Sequence, residues 1–186
     1  FKLVAGVSRH AKVEQVPCFE SLSQLRASKI AVDCVALCTP PAVRLAMARE
    51  ALDYGWHLLI EKPPTPTVGE LLAMEAYARK KKRVLYAAWH SRYNKSVDMA
   101  KAKLKGQHVN FLKVTWKEDV RKWHPGQEWI WQPGGFGVFD PGINALSIVT
   151  KILPEPIFAD SATIEVPANA ATPIAANIRF KRGDGA

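Results

Sequence analysis

The sequence predicts an α/β protein, a doubly wound parallel sheet followed by part of an α+β unit with a largely antiparallel sheet. Three observations predict it. Short apolar runs alternate with capped, amphipathic helical segments as far as Ser91. Beyond Ser91 the chain turns aromatic, Pro-rich and Gly-rich, and it closes with two strand-like runs ahead of a Gly183-Asp184-Gly185 turn signal. The expected division is 1–91 and 92–186.

Phe1 to Val7 reads as a buried strand that starts at the first residue, and Ile30 to Cys38 as a second, stopped by Thr39-Pro40-Pro41. Proline at the first helical position and Gly55 past the last turn frame a helix with Leu45, Ala48 and Leu52 on one stripe. It feeds a strand over His57 to Ile60. A Thr67-x-x-Glu70 capping box opens the next helix, whose Leu71, Met74 and Ala78 share a stripe, and Val84 to Ala88 follows as a strand. This βαβαβ order implies a parallel sheet covered on both faces, with ligands beyond the carboxyl ends of its strands. Further on, the pattern predicts a helix around Val97 to Lys105, a strand over Val109 to Trp116, a helix from Asn144 to Ile152, and strands at Ala162 to Val166 and Ile174 to Phe180.

No run nears the roughly 18 uninterrupted apolar residues of a membrane span, and no charged-then-apolar leader opens the chain, so a soluble protein is expected. Cys18, Cys34 and Cys38 form an odd set without zinc-type spacing. The latter two lie in the apolar run, so reduced, buried thiols and a cytoplasmic location are the expectation. Lys and Arg number 26 against 17 Asp and Glu, a net charge of +9. Part of that excess is the run Arg79 to Arg83 at a predicted helix C-terminus, where cations complement the macrodipole. No nucleic-acid motif accompanies the run, so a solvated helix end is expected rather than a nucleic-acid partner.

Ser8-Arg9-His10, Thr39-Pro40-Pro41, Glu61-Lys62-Pro63-Pro64 and His90 each follow a predicted strand and would converge at one rim. Pro63 disfavours the helical conformation at Lys62 and holds it extended at the strand tip. An ammonium fixed there can hydrogen-bond a substrate hydroxyl and favour the alkoxide that precedes hydride loss. An ordinary surface lysine in a turn is the alternative.

Glu61-Lys62-Pro63 after a short apolar strand, with Cys38-Thr39-Pro40-Pro41 one βα unit earlier, resembles the signature of the Gfo/Idh/MocA oxidoreductases. A second element, Gly134-Gly135-Phe136-Gly137 leading to Asp140-Pro141-Gly142-Ile143-Asn144, resembles that family's glycine-rich segment and Asp-x-Gly-x-His, with Asn144 where His is commonest. The two stand in the right order about 80 residues apart. The run from Trp116 to Trp131, and Asn144 itself, are similar to the bacterial L-arabinose and D-galactose 1-dehydrogenases.

The resemblance implies a partial Rossmann-type dinucleotide-binding domain over 1–91 and a substrate-binding domain over 92–186. The implied activity is oxidation of an aldose, L-arabinose or D-galactose, at C1 to the aldonolactone. The Gly-x-Gly-x-x-Gly loop of such proteins has no match here. The expectation is therefore a fragment, truncated at both ends, that binds cofactor poorly by itself and is inactive alone.

By the same resemblance Lys62 polarises the C1 hydroxyl, while Asp140 is the base or the carboxylate that orients the sugar. Asn144 has no titrating nitrogen and can only hydrogen-bond. Asp140 could instead cap the helix that follows it. Ser8, Arg9, His10, Thr39, Pro40, Pro41, Glu61 and Lys62 are the cofactor-binding set. Ser8-Arg9-His10 contains no acid for a ribose 2′-hydroxyl, and Arg9 suits a 2′-phosphate, so NADP is expected over NAD. His90, Glu118, Trp123, Asp140 and Asn144 are the sugar-contact candidates.

Four of the six tryptophans fall between Trp116 and Trp131 and would suit the apolar face of a sugar, although core packing is the commoner fate of a tryptophan. His90 and His124 with Glu118 and Asp140 match no metal motif, and no metal is expected. In similar proteins the broad sheet of the second domain serves as a dimer face, so a homodimer is the expected assembly. A non-catalytic sugar-binding regulator on the same fold is the rival reading, which the retained Lys62 opposes.

Overall fold

A computed structural model of the chain describes residues 1–183. Asp184 and Gly185 of the predicted final turn lie outside the described residues. Two compact units divide the chain, Phe1–Ala88 and Trp89 onward.

The first unit is organised on β4 (His57–Glu61), which pairs in parallel with β3 (Cys34–Leu37) on one side and β5 (Leu85–Ala88) on the other. The register sets Val35, Leu58 and Leu85 in one row and Leu37, Ile60 and Ala87 in another. Because successive strand residues point to opposite faces, both rows share the face covered by α2 (Pro41–Asp53) and α3 (Val68–Lys80). Leu37, Leu58 and Ile60 are buried with Ala48, Leu52, Met74 and Ala78 in one core cluster. Full burial of a side chain of this size is worth about 1.5–3 kcal/mol before ordering costs.

The helices begin and end where their caps dictate. Pro41 opens α2, Gly55 follows it at φ 83°, and Thr67 Oγ1 accepts the Glu70 amide proton at 3.2 Å to start α3. The basic run after α3 is engaged within the unit. Lys81 pairs with Asp53 at 2.5 Å, Arg83 Nε donates to the Gly55 carbonyl at 2.6 Å, and Arg79 pairs with Glu75. Lys81 and then Tyr77 hold the Asp53 carboxyl below its ordinary range.

Two short strands, β1 (Gly6–Val7) and β2 (Cys18–Phe19), form a separate parallel pair, and α1 (Leu22–Ala27) follows with Ser21 as its N-cap. Neither β2 nor α1 is among the elements expected from the sequence. Residues 1–5 lie outside β1, since the ladder with β2 begins at Gly6. Cys34, Ala36, Leu59 and Tyr86 alternate away from the helices and are exposed, so among the described residues the helices cover one sheet face, not two. For the same reason Cys34 is not buried; Cys38, beyond the strand end, is exposed as well, and Cys18 is half-buried.

In the second unit α4 (Lys95–Leu104), α6 (Phe139–Ile152) and a 3-10 turn over His90–Tyr93 pack together. Lys151 of α6 pairs with Asp98 of α4 at 2.6 Å and lies over the Tyr93 ring at 5.4 Å. A four-residue helix, α5 (Val120–Trp123), precedes the glycine-rich segment. The antiparallel pair β6 (Ile157–Glu165) and β7 (Ala175–Arg182) closes the unit, with a bulge between Ala159 and Ser161. Residues 109–116 form no strand: all but half-buried Val109 are exposed, and none has a ladder partner in the β6–β7 sheet. No helix among the described residues is long and apolar enough to cross a membrane.

Candidate active site

Parallel pairing places the carboxyl ends of β3 and β4 side by side, with Leu37 opposite Ile60. The chain leaves β3 through Thr39, Pro40 and Pro41, and leaves β4 through Glu61, Lys62 and a cis Lys62–Pro63 bond. One buried side chain joins the two exits. Arg44 of α2, 4% exposed, donates from Nε to the Thr39 carbonyl at 2.6 Å and from Nη1 to the carbonyls of Glu61 and Pro63. Glu61 Oε2 accepts the Lys62 amide proton at 3.1 Å. The Thr39 hydroxyl turns toward Met47 Sδ at 3.5 Å.

At the end of β1 the Ser8 hydroxyl accepts the amide protons of His10 and Ala11 at 3.1 and 3.0 Å, and this tight turn leaves the side chains of Arg9 and His10 exposed. These residues fit part of a dinucleotide: an exposed guanidinium on a fixed turn suits a phosphate, and the Thr39 and Lys62 tips suit the reactive end.

In the second unit Asp140 lies in the first turn of α6, 5% exposed. The helix begins at Phe139, five residues earlier than the sequence pattern indicates, so Asp140 is inside it and does not act as its N-cap. Its Oδ2 instead meets His124 Nε2 at 3.2 Å, and the other ring nitrogen of His124 faces Gln127 Oε1, also at 3.2 Å. Gln127 Oε1 further accepts from Trp129 Nε1 at 3.0 Å, and the rings of His124 and Trp129 meet edge to face. Asn144, one turn on, is also buried. A cavity of about 280 Å³ opens beside His124, lined also by Val120, Arg121, Gln127 and Trp131.

The glycine-rich segment holds this helix start in place. A Cβ on Gly135 would lie 2.3 Å from the carbonyl oxygens of Trp129 and Ile130, and one on Gly137 (φ 50°) would lie 2.2 Å from that of Pro173. The space so kept lets the Gly137 amide reach the Ile130 carbonyl at 3.1 Å and the Val138 amide reach Pro173 at 2.7 Å. Buried Thr172 adds a hydroxyl bond to Ile130 at 2.8 Å.

His90 and Trp116 line a second cavity of about 420 Å³, and Trp116 Nε1 donates to Glu118 at 2.6 Å. Three aromatic or carboxylate candidates are thereby grouped. Trp123 stands apart on α5, 59% exposed with Lys122 over its ring. Of the four clustered tryptophans, Trp116 and Trp123 are exposed and Trp129 and Trp131 half-buried. Among the described residues no group of three or more His, Cys, Asp or Glu could hold a metal ion.

Residues 4–89 match the family model described as an oxidoreductase family with an NAD-binding Rossmann fold, Gfo/Idh/MocA. This domain belongs to the Gfo/Idh/MocA oxidoreductases. The similarity extends beyond it. A galactose 1-dehydrogenase of Pseudomonas fluorescens is 43% identical over 97% of this chain and 58% of its own length. The crystal structure of a D-galactose-1-dehydrogenase protein from Rhizobium etli superposes with TM-score 0.92 at 50% identity, covering 100% of this chain and 60% of that one. The WlbA dehydrogenase from Bordetella pertussis, solved with NADH and UDP-GlcNAcA, shares the fold at TM-score 0.76 and 18% identity, over 92% of this chain and 55% of that one. This chain thus spans about 60% of the length of the galactose dehydrogenases it matches.

Two residues stand out that carry no site signature in the sequence. Arg44 reaches the rim through main-chain carbonyls, which leave no side-chain signature to search for. His124 precedes Asp140 by sixteen residues across an irregular segment, a separation that matches no motif.

Proposed function

We propose that the full-length protein oxidises an aldose, D-galactose or L-arabinose, at C1 to the aldonolactone with a nicotinamide cofactor, NADP in preference to NAD. The observation that carries this is the 43% identity to galactose 1-dehydrogenase over 97% of the chain, a span that includes both Lys62 and Asp140. Residues 1–91 act as the dinucleotide-binding part and 92–186 as the sugar-binding part. The bound cofactor supplies the hydride acceptor. Ser8, Arg9 and His10 would hold its ribose and phosphate end, and Thr39, Pro40, Pro41, Glu61 and Lys62 its nicotinamide end.

Lys62 Nζ hydrogen-bonds the C1 hydroxyl oxygen and stabilises the negative charge that develops there. Asp140 takes the hydroxyl proton or fixes the sugar for its removal, while Asn144 supplies a neutral amide. His124 holds Asp140 Oδ2 in one orientation through its own hydrogen bond. Glu118 and His90 suit sugar hydroxyls, and Trp123 offers an exposed ring for the apolar C–H face. The two sugars share hydroxyl configuration at C2, C3 and C4, so a site that reads those groups takes both.

The open β6–β7 sheet, with Ile164 and Phe180 exposed on one face, supports a homodimer through that face. The three free thiols support a reducing, cytoplasmic setting.

The test is steady-state reduction of NADP and NAD by the full-length protein with each sugar. Turnover that falls by at least about 100-fold in Lys62→Ala supports the proposal. Sugar binding without turnover by the unaltered protein would instead make it a sensor.

A further inference from the structure

We propose that Arg44 is a positioning residue for Lys62, which its buried guanidinium clamps through the main-chain carbonyls on either side. The inference rests on the role given to Lys62 above. Arg44 donates to Glu61 O, one residue before Lys62, and to Pro63 O, one residue after it, both from Nη1. Its Nε reaches Thr39 O at 2.6 Å, across on the neighbouring strand exit. The peptide units flanking Lys62 are therefore fixed relative to the Thr39–Pro41 turn by one planar group.

A cation that is 4% exposed carries a heavy desolvation penalty, and here it is spent on loop carbonyls at the strand rim and not on the hydrophobic contacts of α2. Ala48, Ala51 and Leu52 supply those contacts from the same helix. Arginine suits the task because its fork presents several rigid donors and stays charged, whereas lysine is a single point charge on a flexible stem. Lys62 has four methylenes between Cα and Nζ, so the backbone on both sides must be held if the ammonium is to meet one hydroxyl oxygen. A displacement of about 1 Å at such a group lowers the rate about 100-fold.

The experiment compares Arg44→Lys, Lys62→Ala and the unaltered full-length protein with D-galactose and NADP. It measures kcat, sugar KM, the kinetic isotope effect with sugar deuterated at C1, and far-ultraviolet circular dichroism. The expected result for Arg44→Lys is an intact dichroism spectrum, kcat lower by about 10- to 100-fold, sugar KM within about threefold of the unaltered value, and a larger isotope effect. Wild-type kcat in a folded Arg44→Lys variant overturns the proposal. Loss of the dichroism spectrum also overturns it, because Arg44 would then serve the fold at large. If Lys62→Ala retains full turnover, the role assigned to Lys62 fails first. If Lys62→Ala is inactive while Arg44→Lys is not, the positioning claim alone fails.

Discussion

At Lys62, the lysine proposed to act on the substrate hydroxyl, the backbone is held by neighbours on both sides of its peptide. Glu61 accepts its amide proton, and Arg44 holds the carbonyls before and after it. Asp140 is governed in the same manner by a side chain from a different segment, His124, which is itself braced by Gln127. This predicts a graded response at position 124. His124→Ala leaves a buried carboxylate without that donor and lowers kcat by about 10- to 100-fold, whereas His124→Gln retains an N–H of similar reach and recovers part of the loss. Steady-state kinetics on the two variants checks it; equal losses in both would contradict the orienting role. The strand tip at Lys62 is marked in the sequence by the proline that follows it. The hydrogen bond between His124 and Asp140 has no such mark, since it forms only after the chain has folded through a glycine-rich bend.

Elements were legible where their ends are chemically marked. Pro41 with Gly55 framed α2, and Thr67 with Glu70 framed α3. The same device was overlooked at α1, where the Ser21 hydroxyl accepts the Gln24 amide proton at 3.1 Å and Leu22 and Leu25 face the core. Pro141 and Gly142 look like a break at the start of α6, yet a proline in a helix's first turn needs no amide partner, and the Gly142 amide bonds the Val138 carbonyl at 3.0 Å. Residues 109–116 have the apolar content of a strand, but content alone forms no ladder.

The glycines before and within α6 provide a direct contrast. Gly137→Ala places a methyl group against the Pro173 carbonyl at a positive φ and is expected to destabilise by about 1–3 kcal/mol. A Cβ at Gly142 meets nothing within 4 Å, so Gly142→Ala is expected to be neutral or to stabilise by up to about 1 kcal/mol. Chemical denaturation of the two variants measures both, and equal stabilities would contradict the packing described for the glycine-rich segment.

At the scale of the molecule, the parallel sheet with its helices and the antiparallel pair that follows were both legible, since hydrophobic period separates helix from strand without knowledge of partners. The extent of cover was not. A sequence pattern reports which face of a strand is apolar, whereas cover depends on which chain segments are present to supply it. Cys34, Ala36 and Leu59 face solvent here, as do Phe158 and Ile164 of the antiparallel pair.

The charge of +9 is partly accounted for by contacts at the end of α3, where Lys81 and Arg83 bind Asp53 and the Gly55 carbonyl. The activity proposed for the full-length protein turns on one hydrogen atom, that on C1 of the aldose. The most direct measurement follows that atom. The full-length protein is incubated with D-galactose deuterated at C1 and with NADP or NAD, and the reduced cofactor is examined by mass spectrometry. The expected product is reduced cofactor one deuterium heavier, formed together with the galactonolactone. Reduced cofactor without deuterium, or none formed from either galactose or arabinose, would contradict it.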